Sequence, residues 1–336
     1  MAAELIEGEA LAAEIRDEVA GEVAELARAG RGPHLAALMV GDNAGCRMYA
    51  RQQAKHCEAV GIGFELVELP DRIAEGDLQA RIDELNRDDT VTGLLPLMPM
   101  PARLRPREVQ MSVDPAKDVE GVHPANLGRL FYGEETVAPC TAMAAVELLT
   151  RTVGGREALA GLETVIVGHS EVFGKPCALM LLESFNMSPT VRVCHVATRD
   201  LAAHTRDADV VIVATGVRQR RWEGYKLQKK QNHYAVLPDL SPLVTADMLR
   251  ADSIVIDVAI NRIPKGFDAD GQPLKNDKGK AAMQTVGDVD FDAAKDKVRA
   301  ITPVPGGVGP VTVSMLLRNT VACARVQSSY RERPQR

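Results

Sequence analysis

The chain has 336 residues, of which 46% are hydrophobic and 26% are charged. These are the proportions of a globular protein of about two domains, and they exclude a disordered or fibrous protein. The 46 acidic and 40 basic residues leave a net charge of -6, so neither a nucleic acid nor an anionic membrane is an expected partner.

The six cysteines are scattered, with no C-x-x-C pair and no histidine at metal-ligand spacing. Neither a disulfide framework nor a zinc site is therefore expected, and no other metal is indicated. The amino terminus is acidic where a signal peptide would be basic, and no apolar run is long enough to cross a membrane. We expect a cytoplasmic protein with reduced thiols.

The first half of the chain alternates predicted helices and strands. Apolar residues spaced three and four apart predict an opening helix that ends at Gly30: Leu11, Ile15, Val19, Val23 and Leu26. Strands are predicted at residues 34–40, 63–69 and 90–98, with helices at 43–60 and 77–86. This alternation predicts a mostly parallel sheet covered on both faces. Residues 102–140 are predicted to form loops and short helices at a site.

The second half repeats the alternation after a predicted helix at 144–152. Strands are expected at 164–168, 190–196, 209–216 and 253–260, and helices at 175–184 and 311–326. The fold class is therefore α/β, with two doubly wound domains, the second a Rossmann-type dinucleotide-binding domain.

Two segments fit this scheme poorly. Residues 218–230 place six basic residues around Trp222 and Tyr225, a mixture that could stack on and clamp a nucleic acid strand. With an acidic chain overall, a solvated surface loop or a subunit contact is the favoured interpretation. Residues 265–280 are polar and rich in glycine, which predicts a mobile surface excursion.

A glycine turn, GHSEVFGKP from Gly168 to Pro176, follows one of the predicted strands and opens a helix. Backbone N–H groups and the helix dipole hold phosphate groups in such turns. The spacing matches neither a Walker loop nor G-x-G-x-x-G, so dinucleotide binding and a purely structural turn both remain open on this motif alone.

The order of motifs resembles the methylenetetrahydrofolate dehydrogenase/cyclohydrolase family, of FolD type, from about residue 5 to residue 326. The motifs are GDNAGCRMYARQQAK, GLLPLMPMP, KDVEGVHPANLGRL, APCTA, VGHSEVFGKP, IDVAINR and ITPVPGGVGPVTVSMLL. The run TPVPGGVGP at 302–310 is close to diagnostic. Extra sequence stands mainly between residues 218 and 240 and after residue 262.

The resemblance implies oxidation of methylenetetrahydrofolate to methenyltetrahydrofolate with NAD or NADP, which most members follow by hydrolysis. It implies a folate-binding catalytic domain at 1–140 and an NAD(P)-binding domain at 141–309, with a helix at 310–330 that returns to the first. It also implies a homodimer.

The chain departs from the family pattern at the positions tied to hydrolysis. Tyr49 is kept, but the family's lysine four residues later is Gln53, which has no titratable proton. Lys55 lies on a different helical face and should not replace it. Leu97 stands where the family has glutamine, and Glu120 where it has the pterin-binding aspartate.

The cofactor half is better preserved. NADP-dependent members often have an arginine directly after the first glycine or after the next strand; here His169 and Val196 stand there, which slightly favours NAD. The implied cofactor-binding residues are Gly168, His169, Ser170, Gly174, Lys175, Pro176, Thr215, Ile260, Thr302 and Gly309. The implied substrate-binding residues are Tyr49, Lys55, Glu120, Pro305, Gly306 and Gly307, and the implied catalytic set is Tyr49, Gln53, Leu97 and Glu120.

Two hypotheses follow. The first is a dehydrogenase that has lost the cyclohydrolase step or retains it weakly. The second is a member without folate turnover, which binds folate or nucleotide or acts on another one-carbon substrate. Structural roles also remain open: core packing for Tyr49, the surface for Gln53 and Lys55, a loop or capping group for Asp118, and a hydrogen bond within its loop for His123.

Overall fold

The computed structural model describes residues 2–134, 136–183, 187–230 and 237–331. The chain divides into two compact units. We call residues 10–143 with 311–336 the amino-terminal unit, and residues 1–9 with 144–310 the central unit. Each unit is described by itself.

The strands follow one another along the chain in this order: β1 (Glu4–Leu5), β2 (His34–Val40), β3 (Gly63–Leu69), β4 (Gly93–Pro96), β5 (Glu163–Val167), β6 (Thr190–Cys194), β7 (Val210–Val213), β8 (Ile254–Asp257), β9 (Asn261–Pro264), β10 (Met283–Val286) and β11 (Ala300–Ile301). The α-helices are α1 (Gly8–Arg28), α2 (Ala44–Val60), α3 (Glu75–Arg87), α4 (Pro106–Met111), α5 (Pro124–Phe131), α6 (Cys140–Val153), α7 (Gly174–Leu181), α8 (Leu201–Thr205), α9 (Val217–Lys230), α10 (Phe291–Ala294) and α11 (Val308–Arg331).

The amino-terminal unit contains a parallel sheet in the order β3-β2-β4. Six of the seven residues of β2 are buried, as expected for a strand covered on both faces. Helix α2 begins where predicted because the Asn43 side chain accepts hydrogen bonds from the Gly45 and Cys46 amides. It ends at Gly61, whose φ of 82° is the left-handed conformation that stops a helix.

The central unit contains a six-stranded parallel sheet in the order β1-β11-β8-β7-β5-β6. From β5 the chain first adds β6 on one side and then β7 on the other. The strand order therefore reverses beside β5, and ligands of doubly wound sheets bind at such a point, beyond the carboxyl ends of the strands. The α/β prediction with two parallel sheets is confirmed.

The interpretation of residues 218–230 as a solvated loop is wrong. They form nearly all of helix α9, and Trp222 and Tyr225 are both only 7% exposed. Their rings pack with Ile263 and Phe267, so they are not available to stack on nucleic acid bases. Helical packing explains their spacing of three, because residues i and i+3 share one helix face.

Other boundaries differ by a few residues from the predictions. Helix α7 ends at Leu181 rather than at 184, a residue that lies outside the described ranges, as do residues 231–236 of the extra sequence. The polar residues 265–280 form turns between β9 and β10 that are held by two isolated bridges. No described helix is both long and apolar enough to span a bilayer.

Candidate functional site

The glycine turn of the central unit connects β5 to α7. Gly168 has a φ of +138°, and a Cβ atom there would lie 2.5 Å from the Ala214 carbonyl oxygen. A Cβ atom on Gly174 would overlap the Gly168 carbonyl oxygen itself. Both positions therefore require glycine, which leaves the turn's backbone bare beside the first turn of α7.

A cavity of about 330 Å³ lies beside this turn. It brings together five of the predicted cofactor residues: Gly168, His169, Ser170, Lys175 and Thr215. The remaining lining comes from Glu171, from the residues that follow β6 and β7, and from Arg220 of α9. The volume is that of a small-molecule site, and basic side chains at a bare glycine turn suit a phosphate-bearing ligand.

The carboxyl ends of the strands shape this cavity. The His169 and His195 rings lie with their centroids 4.7 Å apart, and Val196 follows β6 directly. Lys175 forms an ion pair of 3.2 Å with Glu171 on the exposed rim. Gly174 and Pro176 are buried and do not line the cavity, so their contribution is to the close packing of α7 against the turn.

A buried carboxylate that the sequence analysis missed holds the turn after β7. Asp288 accepts hydrogen bonds of 2.9 Å from the amides of Thr215 and Gly216, and a further one from the Thr215 hydroxyl. Its other oxygen accepts from the Asn261 side chain at 3.0 Å. These hydrogen bonds to Asp288 fix the position of Thr215, a predicted cofactor residue.

A second buried carboxylate, that of Asp257, lies at the carboxyl end of β8. Asp257 accepts from three backbone amides, of Ala259, Asp288 and Val289. Burial raises its pKa to about 7, against which these hydrogen bonds act. The sequence signal for Asp257 is its position at the end of the apolar run IVID. A charged residue at the end of a buried strand is rarely left unpaired, so this position indicates a hydrogen-bonded carboxylate.

Three predicted cofactor residues lie elsewhere in the central unit. The Thr302 side chain is fully buried and its hydroxyl is bonded to the backbone of Asp257, so it supports the fold beside β8. Ile260 is 61% exposed just after β8, and Gly309 lies in the first turn of α11. None of them lines the cavity at the glycine turn.

The loop between β11 and α11 carries three predicted substrate residues. Pro305 and Gly306 are exposed, whereas Gly307 is buried. The Gly306 carbonyl accepts from the Gly8 amide at 2.8 Å, and the Gly307 amide donates to Pro303 at 2.9 Å. These bonds fix the loop's path and leave its tip accessible.

In the amino-terminal unit, Tyr49 and Gln53 lie four residues apart on α2 and so share one face. Gln53 is fully buried, which excludes the surface interpretation. Its amide lies near enough to the Tyr49 hydroxyl to oppose the rise of that group's pKa, which burial and the charge of Glu120 produce. Neither polar atom of Gln53, however, completes a well-formed hydrogen bond within the described ranges.

The charge of Glu120 also acts on the Tyr49 hydroxyl and raises its pKa. Burial raises the pKa of Glu120 to about 7, with Asp118 contributing in the same direction and a hydrogen bond to Gln110 opposing it. Its Oε2 atom is buried without a hydrogen-bond partner among the described residues. Because buried polar atoms are normally paired, Gln53 and Glu120 together mark a place for a polar ligand.

Asp118 is committed to its loop. It accepts from the amides of Gly121 and His123 at 3.1 and 2.8 Å and from the Asn126 side chain at 3.0 Å. His123 in turn caps α5 by accepting from the Ala125 amide. Both residues thus have the hydrogen-bonding roles within the loop that the sequence predicted.

The remaining predicted residues of this unit separate into a buried and an exposed position. Leu97 directly follows β4 and is 3% exposed. Lys55 is exposed, two positions beyond the buried Gln53. Lys55 therefore does not take the place of a lysine at position 53. All six cysteines are free and buried, so none is a candidate nucleophile, and the described residues contain no cluster suited to a metal.

Residues 6–120 match the catalytic domain of the tetrahydrofolate dehydrogenase/cyclohydrolase family. Residues 139–221 and 239–328 match the NAD(P)-binding domain of the same family. The chain belongs to this family. Residues 222–238 lie outside both matched stretches, and they begin within α9.

Relatives in the family cover nearly the whole chain. The bifunctional protein FolD of Paraburkholderia xenovorans is 39% identical over 329 residues, which is 98% of this chain and 99% of that protein. The structure of the bifunctional FolD enzyme of Campylobacter jejuni has a TM-score of 0.78, with 37% identity over 97% of this chain and 99% of its own. The FolD of Trypanosoma brucei, solved with NADP and an inhibitor, has a TM-score of 0.78 and 31% identity over 98% and 99%.

Proposed function

We propose that the protein oxidises methylenetetrahydrofolate to methenyltetrahydrofolate with a nicotinamide dinucleotide, and that it hydrolyses the product weakly or not at all. The bound dinucleotide would supply the hydride acceptor. The chain's own residues would bind and orient both molecules. They would not supply the group that transfers protons during hydrolysis.

The central unit supports the dinucleotide assignment. Its glycine turn excludes side chains at Gly168 and Gly174, and Lys175 and Thr215 line the adjoining cavity. Thr215 is held by Asp288 without help from a ligand, so this part of the cavity is preorganised.

The amino-terminal unit supports the folate assignment. In its ionised form Glu120 would accept hydrogen bonds from the amino-amidine edge of a pterin, which presents two adjacent donors. Tyr49 would pack beside the reacting ring. Its raised pKa keeps the hydroxyl protonated, so Tyr49 can donate a hydrogen bond but cannot act as a base near neutral pH.

A single observation carries the proposed loss of hydrolysis: the residue beside the Tyr49 hydroxyl is the fully buried amide of Gln53. Hydrolysis of the methenyl cation needs a polarised water and a group that moves protons. Gln53 cannot change its protonation state, and Leu97 offers no hydrogen bond to a water. Hydride transfer needs neither, because positioning of the two reactants supplies most of its acceleration.

Further residues are proposed for binding the substrate and for placing the nicotinamide. We propose that the tip formed by Pro305 and Gly306 contacts the substrate, and that Ile260 contacts the nicotinamide half of the dinucleotide. By the same family membership the protein is proposed to be a cytoplasmic homodimer. Light scattering of the purified protein tests the assembly.

An absorbance assay tests the proposed oxidation directly. Purified protein is mixed with methylenetetrahydrofolate and either NAD or NADP, and formation of methenyltetrahydrofolate is followed. We expect formation that depends on the dinucleotide. A folded protein that forms no product with either dinucleotide would instead support a member that binds folate or nucleotide, or that acts on another one-carbon substrate.

A further inference from the structure

Helix α9 begins inside the family match and continues into residues 222–238, which lie outside it. The helix therefore presents side chains to the central unit from an element that the family pattern accounts for only in part. Its first turns reach the cavity at the glycine turn, because Arg220 is one of the residues that line it.

An aromatic cluster anchors the body of α9. Trp222 and Tyr225 stack with their ring centroids 5.6 Å apart, and Phe267 lies 5.9 Å from Trp222. The Tyr225 hydroxyl donates to the Gly271 carbonyl at 3.4 Å, and Lys229 donates to Gln272 at 3.0 Å. The helix is thus packed on the polar segment between β9 and β10.

Polar contacts fix the start of α9. The Gln219 backbone N–H donates to the Asn261 side chain at 2.9 Å, and the Gln219 side-chain oxygen accepts from the Arg262 backbone N–H at 2.8 Å. Asn261 is bonded in turn to Asp288, the carboxylate that holds Thr215. The beginning of α9 and the wall of the cavity therefore share one hydrogen-bonded network.

Three arginines at the start of α9 have three different environments. Arg218 is 8% exposed and donates to the carbonyls of Leu240 and Gly287, so it is committed to the fold. Arg221 is exposed and pairs with Asp239 at 3.4 Å. Arg220 is exposed at the cavity, and no acidic side chain of the described residues forms an ion pair with it.

We propose that Arg220 binds a phosphate group of the dinucleotide, which makes it a cofactor-binding and specificity-determining residue. The inference rests on the proposed dinucleotide binding. A guanidinium can bind a phosphate through two parallel hydrogen bonds, and in this chain no arginine follows Gly168 directly. Arg220 supplies that group from a different element and faces the same cavity as His169 and Lys175.

Two phosphate sources are compatible with this chemistry. The pyrophosphate is common to NAD and NADP, whereas the ribose 2′-phosphate belongs to NADP alone. The sequence preference for NAD depends on the absence of arginine at positions 169 and 196, and Arg220 is a cation that lines the same cavity from α9.

Isothermal titration calorimetry with NAD and with NADP tests the proposal without relying on turnover. We expect Arg220→Gln to weaken binding about tenfold or more, since a charge-assisted pair is lost, and Arg220→Lys to weaken it less. Arg221→Gln is the matched control, because it removes the neighbouring arginine, which does not line the cavity. It should bind as the wild type does.

The dinucleotide that loses affinity identifies the phosphate. A loss confined to NADP assigns Arg220 to the 2′-phosphate, and an equal loss for both assigns it to the pyrophosphate. Unchanged binding of both by a folded Arg220→Gln variant overturns the proposal alone. If the wild type binds neither dinucleotide, the proposed function fails and this proposal fails with it.

The anchoring of α9 gives an independent check. Trp222→Ala should weaken dinucleotide binding in the wild type, because it loosens the helix that carries Arg220. In the Arg220→Gln background the same substitution should have little further effect, since contacts that act through one residue are not additive. Equal losses in both backgrounds would contradict a route through Arg220.

Discussion

In the central unit the buried carboxylate of Asp288 accepts hydrogen bonds from Thr215, Gly216 and Asn261, whereas in the amino-terminal unit the buried amide of Gln53 completes none among the described residues. A buried polar group without a partner costs about 1–3 kcal/mol. The two regions therefore differ in whether their buried polar groups are hydrogen-bonded in the absence of a ligand. The cavity at the glycine turn is preformed by a hydrogen-bonded network of the protein. The Gln53 and Glu120 pair has polar atoms that a ligand can satisfy.

This difference also separates what the family pattern preserves from what it changes. The glycine turn is constrained by backbone overlap that no other residue type relieves. The residues around Tyr49 are side chains on an otherwise ordinary helix and loop. Exchanges at such positions of a site can change its chemistry on an unchanged type of fold.

The largest expected effect is at the preformed turn. In Gly174→Ala the new methyl group would overlap the Gly168 carbonyl oxygen, so the turn must move. We expect a loss of about 3 kcal/mol in the free energy of unfolding and the loss of measurable dinucleotide binding. Denaturant unfolding and calorimetry measure the two effects.

Gly21→Ala is the control for this substitution. Gly21 lies inside α1 with open space around it, so alanine should stabilise the protein by about 0.5–1 kcal/mol. A Gly174→Ala variant that binds dinucleotide normally would show that the turn is not the constraint described here.

The next largest effect concerns the network under the cavity. Asp288→Ala leaves the amides of Thr215 and Gly216 without their acceptor, and we expect about 2–4 kcal/mol less stability and weaker dinucleotide binding. Asp292→Asn, an exposed aspartate paired with Lys295, should change stability by less than about 0.5 kcal/mol. Similar losses in both variants would contradict a special role for Asp288.

A pH profile tests the role of Glu120 in the amino-terminal unit. Because the raised pKa of Glu120, about 7, leaves its carboxyl mostly protonated at pH 6, kcat/KM for the folate should rise about tenfold from pH 6 to pH 8 as the carboxylate forms. In Glu120→Gln this rise should disappear, with activity at pH 8 lowered. Retention of the same profile by the variant would assign the ionisation to another group.

The smallest expected effect is a gain of function. Gln53→Lys combined with Leu97→Gln should make the decay of methenyltetrahydrofolate severalfold faster than with the wild-type protein, because it returns a titratable group and a hydrogen-bonding side chain to the site. Gln53→Met, similar in length but uncharged, is the control and should give no gain. A folded double variant without any gain would contradict the assignment of these positions to hydrolysis.

The sequence predicted most of the fold because its elements are strongly patterned. The capping residues Asn43 and Gly61 placed α2 within one residue. A continuous apolar run placed β2, and an apolar run interrupted by Glu65 and Glu68 placed β3. The two-residue strands β1 and β11 carry no such pattern and were missed. A helix was not predicted at residues 218–230 because its apolar face consists of few residues among many charges.

The candidate sites were predictable only where they use residues adjacent in the chain. The glycine turn is one continuous motif, and Tyr49 and Gln53 are one helical turn apart. Arg220 reaches the cavity, and Asp288 holds the turn that borders it, from other parts of the sequence. Their roles depend on which strands become neighbours, and single-sequence periodicity does not contain that information.

The central proposal is that this family member oxidises the folate and hydrolyses the product weakly or not at all, and the decay of methenyltetrahydrofolate tests it most directly. The compound is followed by absorbance with excess protein and without protein, in the absence of dinucleotide, after the same preparation has been shown to bind NAD or NADP. We predict that the protein accelerates the decay at most slightly. Decay with the wild-type protein that is as fast as its formation of methenyltetrahydrofolate, and that Tyr49→Ala abolishes, would contradict the account, because it would show that the site hydrolyses the cation efficiently despite Gln53 and Leu97.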